Sequence, residues 1–313
     1  MVAQLTPPTP PASTPPAPKQ LLTAEQLALL NARSNALGLL QLAGHLSVIG
    51  ISGTFWLTGN EYGWWVRLIA LLVYGISLAT MFAPVHECSH RTVFANKRLN
   101  DIVGWWAGVL AFYNSTFFRR YHKWHHRYTQ ISGKDPELED PKPQTLGQYL
   151  RYVSGFDWWL GKFTGHYRVA IGQLEQHPYI PTEARAEVVR STRLQLGVYG
   201  VGAIAAITLG HPLWLLTGWL LPLAVGQPFL RLILLAEHTG CSDDANPLTN
   251  TRTTLTLWPV RFLMWNMPFH AEHHLYPSIP FHQLAPAHEQ LNVHFTHIES
   301  GYVKVHREIM ANF

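Results

Sequence analysis

The chain has 313 residues, of which 47% are hydrophobic and only 13% charged, about half the charge of a typical soluble domain. That is too little to coat a soluble globule of this size, yet a mean hydropathy of +0.01 is too low for a wholly embedded chain. Two cysteines exclude a disulfide scaffold, and a net charge of +4 without any Lys/Arg stripe argues against nucleic-acid binding.

Residues 1–20 hold seven prolines among Thr, Ala and Ser. They read as a disordered tail, without the basic start and apolar core of a secretory signal. Residues 21–313 read as one domain. Thr23 and Gln26 form a capping-box pattern that predicts a helix through Leu27 and Leu30. Four apolar segments follow, at 36–57, 64–84, 194–209 and 213–235, each near the ~20 residues that span a bilayer. Gly210-His211-Pro212 can turn the last two into a hairpin. A fifth run, Ile102 to Phe118, is ambiguous by length.

Charge orders these segments. The linkers 58–63 and 210–212 carry no Lys or Arg. Arg67 and Arg231 lie inside spans. The other 21 of 23 basic residues lie before the first span, in 85–193 or in 236–313. The positive-inside rule places those three regions in the cytoplasm. The expectation is an all-α integral membrane protein with four transmembrane helices in two hairpins. Ile102–Phe118 then lies in the interface, and a cytoplasmic helical cap completes the fold.

Eighteen histidines are the outlying number, and eight of them fall in three pentapeptides. These are His86-Glu-Cys-Ser-His90, His122-Lys-Trp-His-His126 and His270-Ala-Glu-His-His274. Residues i, i+3 and i+4 share a helix face. His86 with His90, His122 with His125 and His126, and His270 with His273 and His274 can each converge. Imidazole suits iron, copper, zinc and nickel. One ion takes about four ligands, so eight imidazoles suit two ions. Each box abuts the cytoplasmic end of an apolar segment, which brings all three to one membrane depth.

Three boxes of the pattern HxxxH, HxxHH and HxxHH on four spans resemble the membrane fatty acid desaturase and hydroxylase superfamily. The resemblance covers about residues 36 to 290, and Asn266-Met-Pro-Phe-His-Ala-Glu-His-His274 reads like the last box of bacterial members. It implies two non-haem iron ions, molecular oxygen as co-substrate and external electrons. A further ligand is usual just after the last span. Glu237-His238-Thr239-Gly240 stands there, similar to the motif of the alkane hydroxylase branch, which makes His238 the ninth ligand, with Asn266 next in line. Acids that orient imidazoles through their far N–H are sought among Glu87, Glu237, Glu272 and Asp101, while Asp135 reads as a solvated charge. Cys88 reads as a small buried residue. His45 needs only one helix partner, and His166, His177, His288, His294, His297 and His306 read as solvated.

Desaturation of a long-chain fatty acyl group in the membrane is the first functional reading. Hydroxylation of a lipid, carotenoid or alkane is the alternative, as is decarboxylation of a fatty acid to a terminal alkene. A metal transporter would set its ligands at mid-bilayer. A haem carrier would need axial histidines on facing spans. The chain carries no haem segment with a His-Pro-Gly-Gly run, so electrons come from a separate donor such as a ferredoxin, a rubredoxin or a cytochrome b5-like protein. Arg91, Lys97, Arg98, Arg119, Arg120, Lys123 and Arg127 crowd the cytoplasmic approach, suited to anionic headgroups or to an acidic donor.

Overall fold

The computed structural model describes residues 21–313; the tail expected over 1–20 lies outside them. Helix α1 (Ala24–Leu30) starts at the anticipated capping box, with both reciprocal hydrogen bonds made. The long α2 (Asn35–Thr58) is capped by Ser34. Next come α3 (Trp64–Ala79) and α4 (Phe82–Ser89) in one nearly continuous rod. Pro84 has no N–H and its ring opposes the carbonyl four residues back, so the rod breaks at Thr80–Met81 and Pro84 sits in the first turn of α4, where proline is tolerated.

The apolar run 102–118 is divided. Helix α5 (Lys97–Ala111) stops at Phe112, whose φ of 59° ends it in the left-handed region, and Asn114 caps α6 (Ser115–Tyr128). Then come α7 (Leu146–Val153), α8 (Phe156–Ala170) and α9 (Thr182–Thr208). A π turn at Leu216–Leu220 leads into α10 (Leu221–His238). Strand β1 (Arg252–Leu255), α11 (Trp258–Leu263), α12 (His270–Leu275), α13 (Leu284–Leu291), strand β2 (His297–Ser300) and α14 (Tyr302–Ala311) complete the chain.

The molecule is mostly helical rather than all-α: β1 and β2 pair in parallel, with Arg252 opposite His297 and Leu255 opposite Ser300. Among the described residues three helical stretches are long and apolar enough to cross a membrane: Asn35–Tyr62, Trp64–Ser89 and Leu216–His238. The apolar part of α9 begins only at Leu194, after a first half bearing Arg185, Glu187, Arg190 and Arg193.

The rods pack side by side, with α3 between α2 and α10. Gly75 on α3 meets Gly226 on α10 so closely that a Cβ on either would run into the other helix's backbone. Small residues at such crossings let backbones approach. Beyond this crossing α4 packs against α5 and α6. Buried residues of α3, α4, α5 and α10 form the main core beneath, including Leu78, Phe82, Val85, Leu223 and Leu230.

Candidate metal centre

Four elements deliver the histidines. His86 lies on α4, with His90 as its C-terminal cap. Helix α6 carries His122, His125 and His126 toward its C-terminal end. His238 is the last residue of α10. The six-residue α12 carries His270, His273 and His274. A turn aims α12 inward, with Trp265 and Asn266 at φ of 50° and 59°. Such left-handed non-glycine residues persist only where surrounding structure enforces them. Here Trp265 is fully buried and donates to His45, while Asn266 donates to Phe281 O and accepts from Arg261 Nε. The Asn266 amide thereby braces the turn.

The nine candidate ligands fall into two adjoining groups, and the division cuts through the boxes. His86, His90, His122, His126 and His273 place one ring nitrogen each within 4.8 Å of one another. His125, His238 and His274 do the same in a second group, and His270 joins it, its Nε2 lying 3.3 Å from Nε2 of His238. Each HxxHH box thus serves both groups. The i, i+4 pair His122 and His126 faces the first group and His125 the second. His273 turns to the first group while His270 and His274, again i and i+4, turn to the second. The rings of His126 and His274 stack at 4.2 Å where the groups meet.

The geometry fits metal ions. His126 Nε2 is 3.0 Å from Nε2 of both His122 and His273. Two imidazole nitrogens bound at about 2.1 Å to one ion sit roughly 3.0–3.4 Å apart, for bond angles between a right angle and a tetrahedral one. Nε2 of His86, His90 and His274 is buried with no hydrogen-bond partner, the state of a donor atom aimed at an ion. Burial and the neighbouring imidazoles hold His122, His126, His270, His273 and His274 well below the ordinary histidine pKa. They are therefore neutral near pH 7, the form that ligates.

Partners on the far nitrogens fix several rings. Asp135 Oδ1 lies 2.8 Å from His125 Nδ1. Asn250 O lies 3.0 Å from His238 Nδ1. Thr129 Oγ1 lies 3.2 Å from His274 Nδ1, and Glu87 Oε1 lies 3.1 Å from His86 Nδ1. Burial opposes charge on His125, but Glu137 and Asp135 outweigh it and hold its pKa above the ordinary value. Asp135 is 2% exposed, not solvated: its second oxygen accepts from the Gln130 amide, which seats it under His125.

Of the other acids, Glu237 Oε2 lies 3.5 Å from His270 Nε2, with its Oε1 buried and unpartnered. Glu272 turns away, to Thr253 and to His288 Nδ1, each at 2.5 Å. Asp101 pairs with Arg91 and Arg119 and touches none of the nine imidazoles. Sequence reasoning passes over Glu137, whose Oε2 lies 3.6 Å from His125 Nε2. A signal exists in its spacing, two residues from Asp135 on a loop close behind the second box.

The remaining histidines lie outside both groups, and not all are solvated. His45 is buried between Ser77 O and Trp265 Nε1. His166 bonds to Lys162 O and stacks on Phe112, and His306 joins Tyr149 to Leu232 O; both are buried. Cys88 is buried as expected. At the approach, Arg91 and Arg119 bind Asp101 and Arg120 binds Glu187. Lys97, Arg98, Lys123 and Arg127 are exposed and form no ion pair among the described residues.

A cavity of about 450 Å³ opens beside the imidazoles. His86, His122, His125, His238 and His270 form one end, and Phe82, Phe118 and Val169 are among its apolar walls.

The fatty acid desaturase family model matches residues 62–300, so the chain belongs to that family and is an oxidoreductase. It is similar to an sn-1 oleoyl-lipid 12-desaturase of Picosynechococcus sp., with 26% identity over 79% of this chain and 74% of the relative. It is 24% identical to the Delta(5) fatty acid desaturase fat-4 of Caenorhabditis elegans, over 69% of this chain and 55% of that one. An sn-1 acyl-lipid omega-3 desaturase (ferredoxin) of Nostoc sp. is 23% identical over 73% and 68% of the two chains.

Proposed function

We propose that this chain is a multi-pass membrane enzyme that binds two iron ions and uses molecular oxygen to desaturate a long-chain fatty acyl group. The observation that carries the reading is the division of nine histidines, seven buried and two half-buried, into groups of five and four. One donor set would be too rich for a single ion, and two sets side by side suit a pair. His86, His90, His122, His126 and His273 are the proposed ligands of one iron, and His125, His238, His270 and His274 those of the other. When bound, the irons supply oxygen activation and removal of hydrogen from an unactivated methylene.

The chain's own residues position and protect. Asp135, Asn250, Thr129 and Glu87 fix the rings whose far nitrogens they touch. Phe82 and Phe118 line the cavity next to His86 and His122, where they would hold an apolar chain and exclude water. Lys97, Arg98, Lys123 and Arg127 offer a basic surface for a separate acidic electron donor; the ferredoxin in the name of the Nostoc relative supports a donor of that kind. Residues 21–313 form one domain with four spans, the third being the apolar half of α9, and the boxes face the cytoplasm.

Lipid and hydrocarbon profiling of cells expressing the chain, against His126→Ala, tests the chemistry. A new double bond in an acyl chain is expected. A hydroxylated lipid or a terminal alkene without an unsaturated acyl product would replace the reading with the corresponding alternative. Thiol labelling of Glu61→Cys and Gly133→Cys should report opposite sides of the membrane; labelling from one side would remove the four-span arrangement.

A further inference from the structure

The cavity has apolar walls yet holds three cations away from the imidazoles; Lys142 is engaged with Gln130 and Asp243, which leaves two. Arg231, on α10 and 8% exposed, lines it together with Lys162 of α8. Both meet at Tyr113. The Lys162 ammonium stands 3.5 Å from the centre of the Tyr113 ring, and Arg231 Nη2 donates to its hydroxyl at 2.9 Å. Trp158 Nε1 donates to the same hydroxyl at 3.0 Å. Tyr113 packs on Phe82 at 4.8 Å, and Phe82 in turn neighbours His86 at 6.1 Å. The cations therefore sit one aromatic layer from the first imidazole group.

Neither cation has a carboxylate in contact, although the charges of Glu137 and Glu237 reach Arg231. Among the described residues no carboxylate forms an ion pair with Lys162 or Arg231, and Arg231 Nε is buried without any partner. Glu137, Asp140, Asp157 and Glu237 also line the cavity, but Glu137 is turned to His125, Glu237 to His270 and Asp157 to Arg151, and Asp140 forms no ion pair with either cation among the described residues. An unpaired buried charge is costly, and an ionisable residue inside a span, as Arg231 is, marks a functional site by default. A pocket built only to hold hydrocarbon has no use for either cation. Burial and the neighbouring Arg231 pull the Lys162 ammonium down to about 7, a state that an incoming anion would reverse.

We propose that Lys162 and Arg231 bind the acidic head of the substrate inside the cavity, so that the enzyme takes an unesterified fatty acid by its carboxylate. The inference rests on the reading of this cavity as the acyl site and narrows it from an acyl group on any carrier to the free acid. A phosphate headgroup shares the anionic chemistry. The carboxylate is favoured because Arg231 is buried, and its partner Tyr113 packs on the ring next to the imidazoles.

Binding tests this without turnover, and so stands apart from failure of the desaturase chemistry. Radiolabelled myristate is bound to the detergent-solubilised full chain and competed with unlabelled myristate, methyl myristate and myristoyl lysophosphatidic acid. The acid should compete at least about tenfold better than its methyl ester, the discrimination a charged hydrogen-bonded partner supplies. Lys162→Met and Arg231→Gln should each shrink that preference to about threefold or less, while Lys162→Arg should keep it. Competition by the ester serves as the folding control; should a variant bind neither ligand, the ratio of acid to ester in the wild type decides. Equal competition by acid and ester in the wild type overturns the proposal. So does a preference that survives the double substitution, and so does stronger competition by the lysophosphatidic acid.

Discussion

The two imidazole groups share α6 and α12 but are held in different ways. In the five-membered group only His86 has its far nitrogen on an oxygen, that of Glu87. The Nδ1 atoms of His122, His126 and His273 are buried and unpartnered. In the other group three of four rings are anchored: His125 on Asp135, His238 on the Asn250 carbonyl and His274 on Thr129. Glu137 and Glu237 also border it. An N–H held by an oxygen leaves the opposite nitrogen free to ligate. Folding alone therefore sets the tautomers of His125, His238 and His274, whereas His270, whose Nδ1 is buried and unpartnered, and most of the first group are organised by crowding of the rings themselves.

The largest effects should come from breaking either group at its centre. His126 contacts two ring nitrogens at 3.0 Å, and His238 bridges the end of α10 to His270. His126→Ala and His238→Ala should each abolish product and lower iron from about two to about one per chain, measured by elemental analysis. Iron falling to zero in both would show that the groups cannot be filled separately. Full activity in either variant, at matched expression and membrane insertion, would remove that histidine from the site.

A smaller effect separates an acid that touches an imidazole from one that does not. Asp135→Asn should lower activity or iron affinity by about 10–100-fold, the usual effect of losing a partner behind a ligand. Asp101→Asn should change either by less than about threefold, because its half-exposed pairs with Arg91 and Arg119 are worth little. Kinetics and chelator competition on both variants decide; a larger loss at Asp101 would reverse the assignment.

Much of the site is legible in the sequence because helix geometry writes it into spacing. The pairs His86/His90, His122/His126 and His270/His274 are each separated by four residues, and the structure puts each pair in one group. The partition of His125 and His273 is not legible. It depends on which tertiary neighbours each ring meets: His125 meets Asp135 and His238, and His273 meets His126 and His86. Asp135 looks solvated because Gly133 and Lys134 precede it. Its burial comes from the loop folding back on Gln130, a contact with no periodic signature. His166 and His306 sit on amphipathic helices whose polar residues pair with backbone, so their burial leaves no trace in composition. The strands β1 and β2 have four residues each and pair across more than forty positions, beyond the reach of local pattern.

The smallest predicted effect tests whether charge or mere contact matters behind a ligand. Thr129 Oγ1 donates to His125 O at 2.8 Å and lies 3.2 Å from His274 Nδ1. With its proton spent on that carbonyl, the hydroxyl can only accept from the imidazole, so it sets the same tautomer for His274 that Asp135 sets for His125. A neutral acceptor makes a weaker hydrogen bond than a carboxylate, by roughly half, and adds little to the basicity of the ring. Thr129→Val keeps the branched shape and removes the acceptor. It should therefore cost less than about tenfold in iron affinity, clearly less than Asp135→Asn in the same chelator competition. Equal losses in the two variants would mean that the ring needs only a fixed orientation. The anionic partner of His125 would then have no electrostatic role, and the contrast between the two groups would reduce to packing.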